Sequence, residues 1–357
     1  MDLKASQTIL VTGANGYVFL HVIHHLLQQG YQVRGTVRSE KAANKVRAAL
    51  PQYYGTKLTT VLVKDLSDPQ CYHGAFDEST TGVIHVASPV HGQCEDNIRD
   101  LLDPAIKGAT GILSAASQLA SPSFRRVVHV SSFAAMVDVS KGLRPGYVYT
   151  EADWNPTSFE EAAVEKDHVA LYVASKALSE RAVWDWMTEH KPSFDVVCVN
   201  PSMILGPHLD EIDSMETLAS TAALLWSLVD APSIPPLEFA GYVDVRNTAA
   251  MLTATFEVPE ASGQRFLAAA HVDWQTAADL ARKRLPEVDK NRIPVGNPGT
   301  GEEAALEHIY QVDGTKIVQV LGVKYRPLEE TVIDSLKQFF KVDAKSKDRK
   351  IASSDSQ

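Results

Sequence analysis

Cysteine is scarce in this chain of 357 residues. Cys71, Cys94 and Cys198 stand far apart, with no CxxC pair and no Cys/His spacing of a metal site. An odd, sparse set excludes a disulfide framework and fits a reducing compartment. Basic charge is in deficit as well: 34 Lys+Arg against 44 Asp+Glu leave a formal net charge of −10, whereas a nucleic-acid binder carries a basic face. That balance still allows a local basic pocket for one phosphate. No uninterrupted apolar stretch approaches the ~20 residues of a membrane span. The first apolar run, 8–12, is only a strand's length and has neither a charged leader before it nor a cleavage site after it. Against these absences stands a hydrophobic content of 45%, enough to bury a sizeable core. The length suggests two domains or one large α/β unit with an appendage. The expectation is a cytoplasmic enzyme with no nucleic acid, membrane or metal among its partners.

The first two hundred residues alternate apolar runs with helical spacing. The runs TILVT (8–12), QVRGTV (32–37), TTVLV (59–63), GVIHVA (82–87), RVVHVS (126–131) and FDVVCV (194–199) are continuous rather than alternating. Continuous runs suit strands buried on both faces of a parallel sheet. Helical patterns occupy 18–27, 97–119 and 166–189, so the fold class is α/β, a doubly wound parallel sheet. Residues 201–240 hold five prolines around one helix near 217–229, and 241–257 reads as a strand returning to the core and then a helix. The expected division gives 1–200 and 241–262 to the sheet domain, and 201–240 and 263–341 to a smaller α+β lobe ending in helix 328–341. The lysine- and serine-rich tail, 342–357, is expected to be disordered.

VTGANGYVF (11–19) follows the first strand and opens the first helix. Gly13 suits a tight turn, Gly16 lets backbone approach a pyrophosphate, and the helix N-terminus offers free N–H groups. Alone, such a glycine pair is an ordinary turn; after the first strand of an alternating pattern it reads as a dinucleotide cradle. The third position, where a small residue aids helix–strand packing, is Phe19, expected either to shift the helix or to intrude on the cofactor's side. Arg38 ends the second strand, where an NAD-selecting protein places a carboxylate, and Lys45 lies two turns along the next helix. Arg38 suits a 2′-phosphate and favours NADP(H), while Lys41 reads as a solvated charge. Asp65 and Leu66, after the third strand, are placed to border an adenine.

LYVASK (171–176) sets Tyr172 and Lys176 at i and i+4 on one helix face. An ammonium beside a phenol stabilises phenolate and fits it for general acid–base work, although YxxxK alone is also met as an exposed helical pair. VHVSSF (128–133) ends the fifth run in two hydroxyls, at the strand end where ligands collect. Ser132 is expected to hold a substrate oxygen and Ser131 to cap or pack. His21, His24 and His25 lack an accompanying carboxylate set and read as a helix face, His85 and His129 as satisfied core residues. His91 and His208 could reach a substrate. Trp184 and Trp186 read as packing of the long helix. Trp226, with Met215, Leu224 and Leu225, is expected to form an apolar substrate wall, joined by Phe133 and Met136.

In this order, TGANGYV, the Ser–Ser pair, YVASK and NPSMILGP (200–207) resemble the extended short-chain dehydrogenases/reductases. Within them the chain is similar to the fungal aldehyde and ketone reductases related to dihydroflavonol reductase and methylglyoxal reductase. The likeness covers about residues 7–340. It implies a Rossmann-type domain, NADPH, and reduction of a small-molecule aldehyde or ketone by hydride transfer, with Ser132, Tyr172 and Lys176 as the catalytic set and Tyr172 as the acid. It implies cofactor contacts at Gly13, Asn15, Gly16, Tyr17, Asp65, Leu66, Ala87 and Ser88 (with Pro89), and at Tyr172, Lys176, Pro201 and Ser202. Arg38 and Lys45 match the 2′-phosphate contacts, Lys107 is a further candidate, and a homodimer follows by analogy. Phe19 departs from the family's Gly or Ala. Two other readings stay open: a non-redox isomerisation, elimination or cyclisation on the same fold, and a non-catalytic dinucleotide sensor, against which an intact Ser132/Tyr172/Lys176 set argues.

Overall fold

Strand and helix alternate from the start of the computed structural model, which describes residues 3–85, 94–218 and 220–354. The first half runs β1 (Thr8–Val11), α1 (Tyr17–Gln28), β2 (Gln32–Val37), α2 (Glu40–Ala49), β3 (Leu58–Leu62), β4 (Thr80–His85), α3 (Asp103–Leu119) and β5 (Arg126–Val130). A short β6 (Val148–Tyr149) and α4 (Phe159–Ala163) lead to the long α5 (His168–His190), followed by β7 (Asp195–Pro201) and β8 (Met203–Leu205). Next come α6 (Ser220–Trp226), β9 (Gly241–Asp244), α7 (Val245–Glu257), β10 (Arg265–Ala268) and β11 (Ala270–His271). The chain closes with α8 (Trp274–Arg284), α9 (Glu287–Lys290), α10 (Gly301–Leu306), β12 (Gln311–Val312), α11 (Thr315–Leu321) and α12 (Leu328–Ser354).

Seven strands make one parallel sheet in the order β10-β7-β5-β4-β1-β2-β3. Successive side chains of a strand point to opposite faces, and both faces here are apolar. Ile9 and Val11 pack with Leu20, Ile23, Leu252 and Phe256 of α1 and α7. Leu10, between them, packs with Ile112 of α3 and with Val183 and Trp186 of α5. Burial on both faces explains why the strands read as unbroken apolar runs. The order changes direction between β1 and β4, so the crevice beyond their carboxyl ends is where such a sheet takes ligands. A second sheet, β11-β9-β8, and the pair β12-β6 build the smaller lobe with α6, α8 and α12 around Leu225, Trp274, Leu336 and Phe339.

Five features differ from the sequence-based expectation. Strand β10, counted in 263–341 as part of the lobe, is the edge of the main sheet, paired with β7. Strand β9 returns not to that sheet but to β8 and β11. The helix expected over 97–119 begins as a π-helical turn, Ile98–Leu102, before α3, because Pro104 has no N–H for the i→i−4 ladder. Helix α6 is shorter than 217–229. Finally, α12 runs to Ser354 where an irregular tail was expected; Asp343 there pairs with Arg292 at 2.7 Å and Lys347 at 2.9 Å, and such i,i+4 pairs support a solvated helix.

Gly82 in β4 lets α7 pack close against the sheet: a Cβ on it would stand 2.0 Å from Cε2 of the buried Phe256. Gly82→Ala is expected to lower stability by about 1–3 kcal/mol through overpacking, read as a fall in Tm; an unchanged Tm would show that α7 yields freely.

Candidate active site

A cleft of about 910 Å³ opens at the carboxyl ends of β1, β2 and β3, lined by Gly13, Asn15, Gly16, Arg38, Asp65 and Leu66 among others. All six were expected from the sequence. Gly13 takes φ +65°, the left-handed region that glycine enters without steric cost. Its N–H donates to Thr36 Oγ1 at 3.4 Å and that of Ala14 to the Thr36 carbonyl at 3.0 Å, which ties the loop to β2. Gly35 permits this approach, since a Cβ there would lie 2.6 Å from that of Ala14. Phe19 also lines the cleft, yet its ring is only 6% exposed. The ring folds back over Gly16, with Cδ2 3.2 Å from the place a Gly16 Cβ would take, and its far side joins the core. It shapes the cleft wall rather than projecting across it.

Arg38 is exposed at the cleft and forms no ion pair among the described residues. A free guanidinium at the end of β2 fits the 2′-phosphate of NADP(H). Lys45 is held 2.8 Å from Asp210, a carboxyl kept at about 2 chiefly by hydrogen bonds and charge from His208 and Lys45 acting against burial. Its charge faces the loop after β8. Asp65 Oδ1 accepts from the N–H and hydroxyl of Ser67 at 2.9 and 2.6 Å, and these bonds lower its pKa. Lys107 reaches the cleft but pairs with Asp103 at 2.7 Å. Thr36, Lys64, Asp96 and Arg99 line the same cleft and were missed. Lys64 was accessible to the strand-end rule that found Asp65; Asp96 and Arg99 belong to no local motif.

On α5, Tyr172 and Lys176 share a face, with the Lys176 Nζ 5.3 Å from the Tyr172 ring centroid. Asp167 starts this helix by accepting from the Ala170 N–H at 2.8 Å. Ser132 follows β5 and accepts from the Ala134 N–H at 3.1 Å. Burial raises the Tyr172 pKa, and the Ser132 side chain, interacting with the phenol, lowers it. Lys176, expected to depress the phenol, is itself lowered to about 8 by burial. Ser131 points elsewhere, donating to Glu180 at 2.6 Å. His85 and His129 are core residues stacked at 5.8 Å, each lowered to about 3 chiefly by burial. Each keeps one ring nitrogen without a partner among the described residues, so they are not fully satisfied as expected.

Several expected site residues have side chains engaged with the smaller lobe or the core. The Tyr17 ring packs 4.3 Å from His208 and its hydroxyl donates to the Gly206 carbonyl at 2.9 Å, so that side chain braces the lobe. His208 is buried there, its N–H and carbonyl both bonded to Gln338. Pro201 is buried at the end of β7, and the Ser202 hydroxyl donates to Gly241 at 2.6 Å. Phe133 and Met136 are buried in a cluster with Tyr149 and Tyr310 instead of forming an open wall. Trp226 packs edge-on to Phe339 and Phe340 of α12. For Phe133, Met136 and Trp226, buried apolar clusters took up the side chain. Ala87, Ser88, Pro89 and His91 lie outside the described residues.

The buried Lys176 has a pH signature. Unfolded, it titrates near ~10.4; folded, near about 8. Below pH 8 both states hold the proton and the full cost of burying the ammonium is present, and that cost falls as pH rises toward 10.4. Lys176→Met is therefore expected to stabilise the cofactor-free protein by up to about 3 kcal/mol at pH 7, with the gain shrinking above pH 8. Denaturant titrations at the two pH values test this; a constant gain would contradict it.

The NAD dependent epimerase/dehydratase family matches residues 9–226. The chain is 33% identical over 348 residues to the NADPH-dependent methylglyoxal reductase GRE2 of Saccharomyces cerevisiae, covering 95% of this chain and 100% of that protein. It is 33% identical to the ketoreductase azaE of Aspergillus niger, over 93% of this chain and 97% of that one. The crystal structure of yeast methylglyoxal/isovaleraldehyde reductase Gre2 complexed with NADPH superposes with a TM-score of 0.85 at 32% identity, covering 94% of this chain and 98% of that one.

Proposed function

From the chain's membership of the NAD dependent epimerase/dehydratase family, we propose that it is an NADPH-dependent reductase of small aldehydes or ketones. The observation that carries the reading is the convergence of Tyr172, Lys176 and the Ser132 side chain at the carboxyl end of the sheet, together with a cleft at the ends of β1, β2 and β3 in which Arg38 and Lys64 are cations without an ion pair among the described residues. Relatives named as methylglyoxal, isovaleraldehyde and ketone reductases support the substrate class. The cradle from Gly13 to Gly16 would take the pyrophosphate and Arg38 the 2′-phosphate. A bound nicotinamide supplies the hydride.

The protein's own part is to hold the carbonyl oxygen and deliver a proton to it. Tyr172, kept protonated by a pKa raised through burial, donates its phenolic proton to the oxygen as negative charge develops there. The Ser132 hydroxyl donates to the same oxygen and steadies it. Lys176 holds an ammonium near the phenol below about pH 8, which offsets the charge left on Tyr172. We also propose a cytoplasmic location, from three free cysteines, and a homodimer by family analogy. The cofactor is assigned to 1–200 and 241–262 with β10, and the substrate to the remaining lobe.

Two variants test the assignment with isovaleraldehyde and NADPH. Arg38→Ala is expected to weaken NADPH binding about 10- to 100-fold, the worth of charge-assisted hydrogen bonds, while leaving NADH binding unchanged; equal loss for both cofactors would remove Arg38 from the phosphate site. Tyr172→Phe is expected to lower kcat by about 10²- to 10⁴-fold with NADPH binding retained. Full activity in that variant would reject Tyr172 as the acid.

A further inference from the structure

One turn beyond Lys176, on the face of α5 that carries Tyr172 and Lys176, stands Glu180, with no exposed surface. A carboxylate buried this deeply is costly unless every oxygen is bonded. Here Oε1 accepts from Arg265 Nε at 2.6 Å, and Oε2 accepts from the Ser131 hydroxyl at 2.6 Å and from Asn200 Nδ2 at 2.6 Å. Arg265 is anchored in turn: its Nη1 donates to the carbonyls of Glu151, at 2.7 Å, and Asp153, and its guanidinium lies 3.7 Å from the Trp154 ring centroid. The Asn200 amide also donates to the Ser132 carbonyl at 3.0 Å. Its own Oδ1 is buried with no partner among the described residues. The side chain thus accepts an unpaired oxygen in order to place its amide between Glu180 and Ser132.

These bonds join β7, β10 and the loop after β5 to the helix that carries the proposed acid. We infer that Glu180 and Asn200 are positioning residues that hold the backbone of Ser132, and so its hydroxyl, against Tyr172. The inference rests on the reductase reading above and extends it to two side chains that touch neither substrate nor cofactor. Without the tether, Ser132 is free to turn away, and Tyr172 loses a hydroxyl that lowers its pKa against burial. Alcohol oxidation, which needs the phenolate, then moves to higher pH.

The test measures kcat against pH for oxidation of the alcohol corresponding to isovaleraldehyde, together with NADPH binding by nicotinamide fluorescence. Ser132→Ala serves as reference. Asn200→Leu is the main variant: it removes the tether and the unpaired Oδ1 together while keeping the Arg265–Glu180 pair, so folding is retained. Glu180→Gln is the second variant, and if it fails to fold the Asn200→Leu result decides. The expected result is a fall in kcat of about 10- to 100-fold, as for misplaced catalytic groups, and an alkaline shift of the profile in the direction given by Ser132→Ala, with NADPH binding unchanged. If Ser132→Ala shifts the profile and Asn200→Leu does not, Asn200 is structural only and the inference is overturned while the reductase reading stands. Loss of NADPH binding in Asn200→Leu overturns it equally. If Ser132→Ala itself leaves rate and profile unchanged, the reductase assignment of Ser132 fails, and this inference with it.

Discussion

Everything at the site depends on α5 lying against the sheet with three polar side chains turned inward. Tyr172, Lys176 and Glu180 follow one another at four-residue intervals along a helix packed on α3 and the strands. An apolar stripe would pack there at less cost. Burying a phenol, an ammonium and a carboxylate requires that the neighbouring strands end in matching groups. The ends of β5 and β7 supply them: Ser131 and Asn200 bond to Glu180, and Ser132 meets Tyr172. Lys176 is the group least well matched, and burial lowers it to about 8. A perturbed pKa of this kind is the mark of a functional site, as the proposed proton transfer requires.

The cofactor side obeys a different constraint, that of close backbone approach. Gly13 supplies a turn that a side chain would oppose, and Gly35 lets β2 come up against Ala14. Both serve to expose the first turn of α1 at the switch point of the sheet, where free N–H groups favour an anion. Phe19 fits this scheme by turning its ring into the core over Gly16. The two halves are coupled through the loop after β8, where Tyr17 of α1 and Lys45 of α2 meet His208 and Asp210. The half of the molecule built on β1, β2 and β3 is thereby braced against the smaller lobe through polar contacts as well as apolar ones.

The smaller lobe owes its core to apolar side chains that could equally have faced a substrate. Trp226 leans on α12, and Phe133 and Met136 join Tyr149 and Tyr310. A lobe built from short strands and separated helices has little other apolar surface to close upon, so its largest groups are drawn inward.

What the sequence determined by itself was whatever depends on short range. The six strand runs, the glycine turn, Arg38 at the end of β2 and the Tyr172/Lys176 pair are each fixed by periodicity or by spacing within one element, and among the described residues each lies within about two residues of where that reading put it. Tertiary structure decided what depends on partners distant in the chain. Local spacing could not show that Lys45 would be claimed by Asp210, or that Glu180 would bond Arg265, 85 residues away. Nor could it place β10 at the edge of the main sheet. For the Ser131–Ser132 pair the sequence assigned the roles, since adjacent hydroxyls on an extended strand end point to opposite sides, and the packing of α5 supplied the partners, Glu180 for Ser131 and Tyr172 for Ser132.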